Sequence, residues 1–132
     1  MKNISLYLSL VSFSFLFLAT TCDDDTVPSC ENRLESLAEL GERIEELVST
    51  SQCGDVFECR SIAFGSKPCG GPWRYIVYST SIDTLLLQEL VEEYNLIEDT
   101  YNRECDAVSD CSVALPPIAF ECEDNSCTPV FN

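Results

Sequence analysis

The chain has 132 residues, with 23 acidic and seven basic side chains, nine cysteines and no histidine, for a formal charge of −16. That length suits one domain with a modest core, and the charge excludes nucleic acid as a partner: a phosphate backbone is neutralised by clustered Lys and Arg, whereas Arg33, Arg43, Arg60, Lys67, Arg74 and Arg103 stand singly. Without histidine there is no Ser-His-Asp relay and no imidazole to ligate zinc, so the composition argues against an enzyme and implies no cofactor.

Met1-Lys2-Asn3 precedes an apolar run from Ile4 to Leu18 that closes on Ala19-Thr20-Thr21. One positive charge, a hydrophobic stretch and small exit residues make a secretory signal over residues 1–21, which is set apart from the fold. The run is also shorter than the roughly 20 residues that span a bilayer core. Leu18-Ala19-Thr20-Thr21-Cys22 resembles the processing site of bacterial lipoproteins, and Asp23-Asp24-Asp25 is similar to the acidic tether of Bacteroidetes-type surface lipoproteins. The resemblance covers residues 1–25 and assigns no family to residues 26–132. It implies lipid on Cys22, a tether over residues 22–29, and an exported protein held at the outer membrane or cell surface. Cysteine arithmetic agrees, because setting Cys22 aside leaves an even set of eight. The alternative is ordinary cleavage near Ala19 or Thr21, which releases a soluble chain with a spare thiol. A strongly negative protein is repelled by anionic membranes, so contact with the membrane runs through the N-terminal lipid.

Residues 30–132 read as a single disulfide-rich α+β domain. Ser29 is placed to cap a helix over about residues 30–49, whose apolar stripe is Leu34, Leu37, Leu40, Ile44, Leu47 and Val48. Its acidic back reads as a solvated face. After Cys53 to Cys59, the alternation of Ile62 and Phe64 predicts a strand; Trp73 to Tyr78 predicts another, central, with both faces covered. A second helix from Ser81 or Asp83 to about Arg103 carries Leu86, Leu90, Tyr94, Ile97 and Tyr101, with Leu87 and Val91 widening the stripe. Pro116-Pro117 interrupts any ladder, and Ile118–Cys122 and Cys127–Phe131 form a terminal hairpin. The expected architecture is two amphipathic helices on a small antiparallel or mixed sheet, stabilised by disulfides.

An exported chain of this size with Cys30, Cys53, Cys59, Cys69, Cys105, Cys111, Cys122 and Cys127 is stapled by bridges. Eight cysteines allow 105 pairings; Cys122–Cys127 across the terminal hairpin is the one local candidate. Cys53-x5-Cys59 and Cys105-x5-Cys111, each after a helix, suggest a pseudo-repeat. Carboxylates at Asp23-Asp24-Asp25 and Glu121-x-Glu123-Asp124 match no EF-hand spacing, so no metal site is assigned.

Residues 65–74 are the candidate interaction surface. Lys67 and Arg74 are cations in an acidic protein, Pro68, Gly70 and Gly71 shape a turn around Cys69, and Trp73 offers a large contact. The competing reading of Trp73 is a plug in the core beneath that turn. The function expected is a surface-anchored binding or interaction module for an extracellular protein or glycan, of unknown oligomeric state. The alternative is an extracellular protease inhibitor that uses loop 65–74.

Overall fold

The structure, a computed structural model, describes residues 28–132. The signal (residues 1–21), Cys22 and Asp23-Asp24-Asp25 therefore lie outside the described residues.

Helix α1 spans Cys30–Ser49, and the Ser29 side chain accepts a hydrogen bond from the Asn32 N–H, satisfying one of the first-turn donors that have no partner within the helix. Strand β1 (Cys59–Phe64) pairs antiparallel with β2 (Arg74–Ser79), with Ile62 opposite Ile76. Helix α2 spans Thr84–Glu104 and is capped by Asp83, whose carboxylate accepts from the Leu85 and Leu86 N–H groups. A second antiparallel hairpin joins β3 (Ala119–Glu123) to β4 (Ser126–Val130). Its two turn residues, Asp124 and Asn125, have φ of 48° and 63°, the left-handed pair that matches the twist of a two-residue hairpin.

The α+β architecture is two helices packed on two small antiparallel sheets and tied by four disulfides. Leu40 and Ile44 of α1 meet Leu87, Leu90 and Val91 of α2 over Phe64, Ile76 and Tyr78 of the first hairpin. Ile44 and Leu87 are fully buried, so truncating either removes the centre of a small core. Among the described residues no helix is long and apolar enough to cross a membrane.

Several expectations change. β2 is half of a two-stranded sheet rather than a central strand. The second hairpin is held by covalent bridges instead of a continued ladder, and Pro129 in β4 has no N–H to offer one. The apolar stripes are also rotated: Leu34 and Leu86 are 49% and 39% exposed, while Leu87 is buried. A stripe wide enough to include both Leu86 and Leu87 leaves its own centre undetermined, and packing against α1 selects it.

The cysteine pairing differs as well. The bridges are Cys30–Cys105, Cys53–Cys122, Cys59–Cys127 and Cys69–Cys111, so Cys122–Cys127 is not formed. Cys122 and Cys127 face each other across the hairpin, but directly opposed residues hold their Cβ atoms about 4.5–5.5 Å apart, wider than the roughly 3.8 Å of a disulfide. Each reaches instead to the segment after α1. The pseudo-repeat dissolves for the same reason. Cys53 and Cys59 both bind the terminal hairpin, whereas Cys105 staples α2 to the start of α1 and Cys111 holds loop 65–73.

Candidate functional site: a groove at the foot of a clamped loop

Residues 65–73 connect β1 to β2 and turn back on the polar flank of α2. Three side chains of that helix, Asn95, Glu98 and Asn102, spaced by three and four residues and so sharing one flank, clamp the loop. Asn95 Oδ1 accepts from the Gly65 N–H at 2.7 Å, and Asn95 Nδ2 donates to the Ala63 carbonyl. Glu98 accepts from the Ser66 N–H through Oε2 and from Trp73 Nε1–H through Oε1, the latter at 3.0 Å. Asn102 Nδ2 donates to the Ser66 carbonyl at 2.6 Å. Gly65 makes this fit possible: its φ is +83°, and a Cβ there would lie 2.4 Å from Trp73 Cδ1.

The candidate interaction residues separate into two sets. Lys67 is only 5% exposed, and its ammonium donates to the Ser112 carbonyl at 2.6 Å and to Ser112 Oγ at 2.9 Å, with Asp110 Oδ1 at 3.5 Å. It is an internal anchor rather than a surface cation. Hydrogen bonds from the Ser112 N–H and Oγ, with Lys67 adding to them, hold the Asp110 carboxyl below its ordinary range. Pro68, Gly70 and Gly71 form the exposed tip, closed by the Gly70 N–H on the Lys67 carbonyl and by Cys69–Cys111. Arg74 is exposed, reaches Glu45 at 3.3 Å and lies over the Phe64 ring.

Trp73 does not plug the core. It is 41% exposed and precedes β2, with its backbone N–H on the Phe64 carbonyl and its indole N–H on Glu98. These two bonds leave the ring at the edge of a groove of about 610 Å³. Leu34, Leu37 and Ala38 of α1 form one wall, and Tyr94, Glu98, Tyr101 and Asn102 of α2 the other. The turn from Cys105 to Val108 closes one end, held by the Cys30–Cys105 bridge. Tyr94 stacks at 4.3 Å on Phe64, which ties the groove wall to the core.

Burial raises the Glu98 carboxyl above its ordinary range, against the pull of the Ser66 and Trp73 donors. Burial, and after it the neighbouring Glu98 charge, raises the Tyr94 phenol, with Arg74 opposing. A carboxyl whose folded value is raised binds its proton more tightly in the native state. The stability contributed by Glu98 is therefore full below the unfolded range and is lost as pH rises through the raised folded value. In an NMR titration Glu98 should titrate above the usual glutamate range, Trp73 emission should follow it, and Glu98→Gln should flatten that emission step. A Glu98 that titrates with the exposed glutamates overturns this assignment.

Lys67→Ala removes charged hydrogen bonds worth about 1.5–3 kcal/mol. It should shift the denaturation midpoint down and speed amide exchange at Lys67 and Gly70, while the helices keep their protection. Unchanged exchange in the loop would show that the α2 clamp and Cys69–Cys111 hold it without Lys67.

Among the described residues, the one grouping of metal-ligand types close enough to hold an ion is Cys53, Cys59 and Cys127, whose sulfurs lie within 4.8 Å of one another. Both neighbouring bridges consume those sulfurs. Glu121, Glu123 and Asp124 do not converge on a common point.

Sequence reasoning carried the helix through Asn95 but gave no role to Asn95, Glu98 or Asn102. The signal was the polar spacing 95, 98, 102 beside the apolar stripe, which becomes meaningful only once the loop lies against it. No family model matches the chain, and no curated protein or solved structure does either.

Proposed function

We propose that the protein is an exported lipoprotein, anchored through Cys22, whose α+β domain is a binding module for an extracellular protein or glycan, with the groove beside Trp73 as its site. The observation that carries this reading is the state of Trp73. A large indole normally gains by burial, yet this one is 41% exposed and pinned in one orientation by Glu98 at a groove edge. A preorganised aromatic surface loses little entropy on binding, which is what recognition sites exploit.

The test uses the exported chain. Intact mass before and after reduction should give a chain that begins at Cys22, carries lipid and contains four bridges. Binding to arrays of extracellular proteins and glycans should then be lost on Trp73→Ala while the helical signal stays intact. A chain without lipid removes the anchor; binding indifferent to Trp73 removes the site.

A second reading, protease inhibition by loop 65–74, is favoured by one feature: the tip from Pro68 to Gly71 is exposed and cross-linked. Lys67 points inward, so such an inhibitor would not present it to a trypsin-like pocket. Inhibition in a protease panel that is lost on Pro68→Ala would support this reading over the groove.

A further inference from the structure

We infer, on the reading that the groove is the binding site, that its occupant is a basic peptide segment that inserts an arginine or lysine side chain beside Trp73. The hydrogen-bonding capacity left free in the groove selects for that chemistry. The indole N–H of Trp73 is committed to Glu98, and one of the two Asn102 Nδ2 hydrogens to the Ser66 carbonyl. The rest of the polar lining has more acceptors than donors: Glu98 and Asp106 bring carboxylates, and Tyr94 and Tyr101 bring phenols that both accept and donate. A carboxylate ligand needs donors from the protein, and a sugar hydroxyl, which donates one hydrogen and also accepts, uses such a set only in part. A guanidinium or an ammonium carries donors only, and complements this set.

Charge points the same way. The chain carries a formal charge of −16, and of the six basic residues among the described residues Arg33, Arg60, Lys67, Arg74 and Arg103 are each paired with a carboxylate, while Arg43 does not line this groove. An incoming cation therefore meets an uncompensated acidic field that also steers its approach. The ring already holds one cation, since the Lys67 ammonium sits 5.0 Å from the Trp73 ring centroid, and part of the ring remains open to the groove. Leu34, Leu37 and Ala38 opposite supply the apolar wall that an arginine or lysine stem needs.

Trp73 is the sole tryptophan, so its emission reports the groove directly. The full oxidised chain is titrated with a hexa-arginine peptide, a Gly-Ser peptide of equal length and a neutral chitin hexasaccharide. The expected result is a saturable one-to-one change with hexa-arginine alone, weakened at least tenfold by Asp106→Asn or Tyr101→Ala and unaffected by Glu89→Gln, which lies outside the groove. Hexa-arginine binding equally weakened by all three variants, or by none, indicates general attraction to an acidic surface and overturns the proposal. If the sugar moves the emission and the basic peptide does not, the groove stands as a site and the cationic class is wrong. If no probe moves it, the groove reading falls as well.

Discussion

Full reduction should unfold the domain at room temperature. The four bridges close sequence separations of 75, 69, 68 and 42 residues. Loops of that length correspond to about 4 kcal/mol each in the chain-entropy account, so together they rival or exceed the roughly 5–15 kcal/mol of net stability typical of a domain. The core that would remain is one small cluster around Ile44 and Leu87, and the second hairpin adds no residue to it. Cys30–Cys105 is the most consequential single bridge, because it joins the start of α1 to the end of α2 and closes one end of the groove. Replacing both of those cysteines with alanine should lower the unfolding free energy by about 4 kcal/mol and red-shift Trp73 emission. Circular dichroism and emission of the fully reduced, alkylated chain check the larger claim. A native helical signal after complete alkylation would show that the apolar core suffices.

The second large effect is expected at Gly65. Its left-handed backbone costs an L side chain about 1–2 kcal/mol, and the added Cβ collides with Trp73 Cδ1 at 2.4 Å and Glu98 Oε2 at 2.9 Å. Trp73 cannot yield freely, because its indole N–H is held by that same carboxylate. Overpacking of this kind adds about 1–3 kcal/mol. Gly65→Ala should therefore destabilise the domain by about 2–5 kcal/mol, and it should displace Trp73 and loosen the loop before the helices melt. Chemical denaturation tracked separately by emission and by circular dichroism tests this. Coincident transitions at the wild-type midpoint would mean that the loop relaxes around the methyl group at little cost. By contrast, Gly70 and Gly71 also have positive φ but open space around them, so alanine there meets backbone strain alone.

The loop and groove also show how one carboxylate can serve two structures. Glu98 closes the turn through the Ser66 N–H and fixes the indole through Trp73 Nε1, so the loop's rigidity and the orientation of the exposed ring share one residue. Substitution at Glu98 consequently tests both together, and the Tyr101 and Asp106 variants separate ligand contact from loop support.

Much of the fold is legible along the chain because its causes are local. Ser29 and Asp83 cap the helices they precede, the apolar period carries each helix to its observed end, and Asp124-Asn125 supplies a turn that suits a two-residue hairpin. The eight cysteines from Cys30 onward, an even set, lead directly to bridges. Pairing is another matter, since opposed Cys122 and Cys127 look like natural partners until the segment from Cys53 to Cys59 is brought against them. Only the tertiary structure turned Lys67 inward onto Ser112, left Trp73 at the surface and made a clamp of Asn95, Glu98 and Asn102. Periodicity states which residues share a helix face, but which part of that face meets a partner depends on a rotation of about one residue. That rotation is settled by contacts between segments far apart in sequence, and the groove exists because of it.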